Sequence, residues 1–313
     1  MQGFPKIQLE CHQGLFFITF VNGLTEFDNM KRIVLAFFVA LMAVTTASAT
    51  TFCTAVIRVL AIGNSFSEDA VEQNLHLIAG DRNTPMVIAN MYIGGCSLDR
   101  HLKNIREDIH DYRYTKFDAE GNKQIRQKVS LSEVIAEEAW DYISIQQASG
   151  VSGQAASYAN LGEIAAWIHA NAPQAKLLFH QTWAYSKTST HRDFPKYDCD
   201  QDKMHRAICA AVAQECPKVG ITSIIPVGQA MDLLRRKTGD YDLTRDGYHL
   251  SKGVGRYLAA CVWYQALTGR DARKIKYRPD GSDPRTEAIS DKQAREARKA
   301  AYSAVRKYAR LAL

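Results

Sequence analysis

The sequence predicts an α/β fold: a single domain on a doubly wound parallel sheet, a three-layer α/β/α arrangement, over about residues 55–270. Two observations carry this. Short apolar runs alternate with helical patterns from Ile57 onward, and 46% hydrophobic with 23% charged residues over 313 positions is the composition of a soluble globular chain that can bury a core. The first strand is the apolar run IRVLAIG at 57–63. A helix follows over 69–81 (DAVEQNLHLIAGD), then a strand over 85–93 (PMVIANMYI), a polar stretch, a helix over 130–139 (SLSEVIAEEA) and a strand over 141–147 (DYISIQQ). Next come a helix over 158–172 (YANLGEIAAWIHANA), a strand over 175–183 (AKLLFHQTW), a helix over 202–216 (DKMHRAICAAVAQEC) and a short strand over 221–228 (ITSIIPVG). Between 108 and 128 the rhythm breaks, and AEGN between two polar-aromatic runs reads as a hairpin turn in a surface insertion near the active edge. From Ser290 onward Ala294, Ala297, Ala301, Ala304, Tyr308 and Leu311 recur at three and four residues, so a helix over about 290–311 docks through one narrow face and is no separate domain.

The first 49 residues stand apart. Met30-Lys31-Arg32, the apolar IVLAFFVALMAV and then Ala47-Ser48-Ala49 have the basic, apolar and small-residue parts of an export signal over 30–49, with cleavage expected after Ala49. Residues 1–29 precede a second methionine without clear periodicity, which suggests an upstream leader from a start codon assigned too early, and the domain proper is taken as 50–313. The apolar run is too short to span a bilayer. A secreted or periplasmic location follows, with no membrane association beyond export. An oxidising compartment permits disulfides among Cys53, Cys96, Cys199, Cys209, Cys216 and Cys261, although buried free thiols fit a domain of this size equally well. No CxxC pair or His/Cys cluster has zinc spacing, so no metal or other cofactor is expected. The net charge of +6 resides in residues 270–313, on a helix beside its apolar seam, and reads as a solvated face; no nucleic-acid partner is expected.

The chemistry centres on the end of the first strand. In an open parallel sheet ligands bind beyond the carboxyl ends of the strands, where Ser65 falls with a helix behind it. A helix N-terminus supplies N–H donors and partial positive charge, which suits an oxyanion. A serine hydroxyl needs a base, and the base needs an orienting acceptor. Asp246 and His249, three apart in TRDGYHLSKG, supply that pair, unless Asp246 only caps the following helix and His249 is a surface residue.

Together Gly63-Asn64-Ser65, the Gly94-Gly95 pair and Asp246-Gly247-Tyr248-His249 resemble the SGNH (GDSL-like) hydrolases, in particular a secreted bacterial branch (DUF4886-like) that begins IGNSFS and carries QQAS. The likeness runs over about 57–270 and implies the flavodoxin-like form of the fold. By that resemblance Ser65 is the nucleophile, His249 the base and Asp246 its orienting partner, in a metal-independent esterase; many such enzymes remove acetyl or other acyl groups from carbohydrates. The resemblance also implies an oxyanion hole of the Ser65 and Gly95 N–H groups. Its third member departs from the family pattern: a glutamine stands where an asparagine is usual, and period-two alternation allows only one of Gln146 and Gln147 to reach the site, of which Gln147 is preferred. Asn64, in place of the usual aspartate, and Trp183 are candidate pocket residues. His180 is assigned to packing, and His101 and His191 to loops without a role. The expected partner is a small-molecule or glycan ester, with a non-catalytic glycan-binding protein on the same fold as the alternative; the sequence leaves the oligomeric state open.

Overall fold

Strands alternate with helices because each apolar run is buried on both faces, and the helices that link them carry the covering stripes. The structure is a computed structural model that describes residues 6–12, 15–21, 55–239, 241 and 243–310, and it divides into two units, 1–53 and 54–313. In the first unit, β1 (Lys6–His12) and β2 (Leu15–Val21) pair antiparallel, from Lys6↔Val21 to His12↔Leu15. The export segment over 30–49 and its cleavage position lie outside the described residues.

The second unit holds one seven-stranded sheet. Its strands are β3 (Ile57–Gly63), β4 (Met86–Tyr92), β5 (Tyr112–Phe117), β6 (Lys123–Val129), β7 (Tyr142–Ile145), β8 (Lys176–His180) and β9 (Ile224–Ile225). Their order is β6-β5-β4-β3-β7-β8-β9; the five from β4 to β9 run parallel, and β5 and β6 extend the β4 edge antiparallel. Between β3 and β7 the chain changes the side on which it adds strands, so the carboxyl end of β3 opens on a crevice.

Four expectations need correction. The AEGN turn does join β5 and β6 as an antiparallel hairpin, but the 108–128 segment is no surface insertion: β5 continues the central sheet, from Ile88↔Phe117 to Tyr92↔Arg113. The helix expected over 69–81 is two, α1 (Ser65–Val71) and α2 (Leu75–Asp81), because Glu72 and Asn74 are buried and bond away from the helix, to Asn90 and Tyr277. The polar stretch contains α3 (Leu98–Arg106), which is capped by Ser97, buries Leu98, His101, Leu102 and Asn104 and turns four charged residues out. The last strand has two residues, because Pro226 lacks an N–H and α7 (Val227–Thr238) starts directly after it. The other helices are α4 (Leu131–Ile135), α5 (Leu161–Asn171), α6 (Gln201–Glu215), α8 (Val254–Thr268) and α9 (Asp291–Tyr308).

Two helical layers cover the sheet. Helix α8 packs against α1, α2, α7 and α9, whereas α3 packs against α4 and α5. Helix α9 starts in a capping box, with Gln293 N–H donating to Ser290 Oγ at 3.2 Å and Ser290 N–H to Gln293 Oε1 at 2.8 Å. It buries Ala294, Ala297, Ala300, Ala301 and Ala304, a stripe that lets two helix backbones approach closely. Among the described residues no helix is long and apolar enough to cross a membrane, and Cys96, Cys199, Cys209, Cys216 and Cys261 are free thiols. Replacing Ala301 by Leu drives three additional heavy atoms into this contact. It is expected to cost about 1–3 kcal/mol of unfolding free energy in urea denaturation, without changing secondary-structure content.

Candidate active site

The site begins with how β3 turns into α1. A Cβ on Gly63 would lie 2.7 Å from Ser67 Oγ and 2.9 Å from Gln146 Cδ, so only glycine lets the strand end against its neighbours. Asn64 then caps α1: its Oδ1 accepts the Phe66 N–H at 3.0 Å. The same oxygen accepts from Gln146 Nε2 at 2.8 Å, and Asn64 Nδ2 donates to the Cys96 carbonyl at 3.0 Å. Asn64 is thus a buried brace joining the ends of β3, β4 and β7, not a wall of a pocket. Between buried Asn64 and buried Phe66, Ser65 is left half-exposed. Its N–H, at the first position of a helix, has no intrahelical acceptor. Its Oγ makes no hydrogen bond among the described residues, so the expected bond to His249 is not formed here.

The partner pair sits at the tip of a folded-back segment. Ser251 N–H donates to the Leu243 carbonyl and Arg245 N–H to the His249 carbonyl, both at 2.9 Å, and Thr244 bridges Leu250. Gly247 makes the tip with φ at +87°, and a Cβ there would meet Ser189 Cα at 2.9 Å. Across this turn His249 Nδ1 lies 2.6 Å from Asp246 Oδ2, while Asp246 Oδ1 accepts the His249 N–H at 2.8 Å and the Tyr248 N–H at 3.2 Å. Asp246 therefore orients the imidazole and does not cap a helix, since α8 starts only at Val254. Burial acts to raise the Asp246 carboxyl, but the hydrogen bonds from the His249 ring and the two N–H groups outweigh it and hold it below the ordinary aspartate value.

Stacked rings bring this turn to Ser65. The His249 ring stands edge-on to Phe66, the residue after the serine, with centroids 6.1 Å apart. Phe66 is stacked on Trp183 at 4.0 Å, and Trp183 Nε1 donates to the Tyr248 carbonyl at 2.7 Å. Trp183 is fully buried, so it too is a brace beneath the turn and not a pocket residue.

Asp69, four residues after Ser65 on α1, also holds the turn, and sequence reasoning missed it. Its side chain is 0% exposed and accepts from Arg245 Nη1 at 2.8 and 3.0 Å, from Arg256 Nε at 2.9 Å and from the Leu250 N–H at 2.9 Å. One signal was available: Arg256 is the single charged residue between Lys252 and Arg270, in a run otherwise fit for burial.

The remaining blocks differ from expectation. Gly94 and Gly95 are exposed at the end of β4, with Gly95 at φ +62°. No atom lies within 4 Å of where a Gly95 Cβ would be, so the left-handed backbone, and not crowding, calls for glycine. Gln147 does not present a free amide. Its Nε2 donates to the Ser157 carbonyl at 2.6 Å and to Ser157 Oγ at 3.1 Å, and its Oε1 accepts the N–H groups of Ala148 and Leu98. Gln146 is equally committed, between Asn64 and His180, whose Nδ1–H donates to Gln146 Oε1 at 2.7 Å. Complete burial drives the His180 pKa down to about 3, so this brace works with a neutral imidazole. His101 is a buried residue of α3 bonded to the Tyr112 hydroxyl, not a loop residue; His191 is half-buried beside Tyr248 and Tyr185. No group of three or more His, Cys, Asp or Glu among the described residues could hold a metal ion.

Comparison with known proteins adds the following. A family model, domain of unknown function DUF4886, matches residues 58–304. The structure is similar to a DUF4886 family protein from Bacteroides uniformis, at 42% identity and a TM-score of 0.77 over 82% of this chain and 98% of that one. It is also similar to a candidate SGNH hydrolase from Slackia heliotrinireducens, at 22% identity and a TM-score of 0.45 over 68% of this chain and 100% of that one. A third likeness is to a variant of an acetyl-xylooligosaccharide esterase from Geobacillus Stearmophilus, at 13% identity and a TM-score of 0.39 over 74% and 97% of the two chains. The last two likenesses are too loose to say anything of chemistry. No curated protein matches the chain.

Two outcomes follow from the turn. Gly247→Ala forces a side chain into a left-handed conformation and against the Ser189 backbone, and is expected to lower the unfolding free energy by about 1–3 kcal/mol in urea titration. Because the folded Asp246 pKa is depressed, the ionised carboxylate stabilises the fold fully above about pH 4. That contribution is lost as pH falls through the folded value. The stability gap between wild type and Asp246→Asn should therefore be widest near neutral pH and close in acid, modestly so because the carboxylate is partly exposed.

Proposed function

We propose that this chain, which belongs to the DUF4886 family, is an exported serine ester hydrolase of the SGNH type. His249 takes the Ser65 hydroxyl proton as the oxygen attacks an ester carbonyl, and Asp246 holds the imidazole in the tautomer whose Nε2 is free to accept it. The tetrahedral oxyanion is met by the N–H of Ser65, at the start of α1, and by the N–H of Gly95. With both glutamine amides committed inside the fold, no side-chain amide of the third block is asked to help. The imidazolium returns its proton to the leaving alcohol, and water, deprotonated by the same imidazole, releases the acid from the acyl-enzyme. The substrates are acyl esters, acetyl foremost, on carbohydrates, a reading that rests on the family resemblance and on the export signal.

One observation carries the reading. A tightly paired Asp246–His249 turn is seated against Phe66, next to a half-exposed serine whose hydroxyl has no other partner. A second reading, a glycan-binding protein without turnover, draws on the missing third oxyanion donor.

Release of p-nitrophenol from its acetate ester decides between them. Saturable hydrolysis is expected, with kcat/KM lowered about 10³-fold or more in Ser65→Ala and in His249→Ala. Folded protein without turnover that still binds an oligosaccharide after His249→Ala would establish the second reading instead.

A further inference from the structure

We infer that Asp69 is a positioning residue for this site: its carboxylate seats the Asp246–His249 turn on the helix that carries Ser65. The inference rests on the hydrolase reading. Ser65 and Asp69 lie four apart on α1, on one face and one turn from each other, so any shift of the turn relative to Asp69 is a shift relative to the serine. The bonds to Asp69 fall on both flanks of the turn: Arg245 immediately precedes Asp246, and Leu250 immediately follows His249. Arg245 Nη1 also donates to the Leu250 carbonyl at 2.5 Å, which closes the base of the turn on itself. Arg256, at the start of α8, holds the carboxylate from the other side and donates through Nη1 to the Arg285 carbonyl at 2.9 Å.

The chemistry favours a carboxylate over any neutral residue here. Two guanidinium groups and one main-chain N–H converge on two oxygens, and an asparagine would turn an NH₂ group toward one of them. The Asp246–His249 bond is local to the turn and survives without Asp69. What Asp69 adds is the register of that pair against the nucleophile. A displacement of about 1 Å there is enough to cost about 100-fold in rate.

The test uses the full chain with Asp69→Asn, Arg245→Met and Arg245→Lys, read by turnover per titrated active site and by hydrogen exchange at residues 243–251. Asp69→Asn and Arg245→Met should lower kcat about 100-fold with KM within about threefold, and should speed exchange of the Leu250 N–H. Arg245→Lys keeps a cationic donor to Asp69 and should recover most of that loss. If Asp69→Asn does not fold, the Arg245 pair still decides the matter. A fall in thermal stability with kcat per site and Leu250 exchange unchanged would overturn the inference and leave a purely structural ion cluster. Wild-type protein without turnover would sink the hydrolase reading and this role with it, whereas active wild type with unaltered variants would sink this role alone.

Discussion

The structure depends on one buried carboxylate. Asp69 and the groups that bind it lie 176 to 187 residues apart in the chain, and their meeting is what closes the domain around its carboxyl-end crevice. A lone carboxylate at 0% exposure would be costly, since an uncompensated buried charge is worth about 3–5 kcal/mol. Helix α1, the turn at 245–250 and the first turn of α8 are therefore stable only as a set. The left-handed tip at Gly247 is held in place because its base is fixed on two sides.

A second, neutral network does for the strand ends what Asp69 does for the turn. Asn64 accepts from Phe66 and Gln146 and donates to Cys96, and Gln146 in turn accepts from His180. All these groups are buried, where each bond is stronger and each unpaired atom more costly than in water. The consequence is a braced frame from which Ser65, Gly94 and Gly95 emerge. The polar residues around the serine mostly hold the backbone still, which explains why candidate pocket residues such as Asn64 and Trp183 turn out to be braces.

The parallel core was legible because strands buried on both faces leave unbroken apolar runs, and Gly63, Gly247 and the alanine stripe of α9 mark positions where only small residues fit. Other features left weaker traces. Helix α3 has four buried side chains in a charged segment, and β5 and β6 carry charged residues as edge strands do, so neither reads as part of the sheet layer. Alternation along 146–147 does separate the two glutamines onto different partners. It gave no hint that Ser157, in a short 3₁₀ turn ten residues on, would occupy the Gln147 amide. Asp69 was illegible as a site residue because a single Asp in a helix is ordinarily solvated, and only the lone Arg256 in an apolar helix hinted at a buried partner.

On the proposed function, the turn bearing His249 and the start of α1 bearing Ser65 form one reactive centre. A crystal structure of the protein after reaction with a fluorophosphonate decides this. The expected adduct has phosphorus bonded to Ser65 Oγ, its free oxygen within about 3 Å of the Ser65 and Gly95 N–H groups, and His249 Nε2 within hydrogen-bond reach of Oγ. An unmodified Ser65, or an adduct whose oxygen points away from Gly95 while His249 lies out of reach, would contradict it.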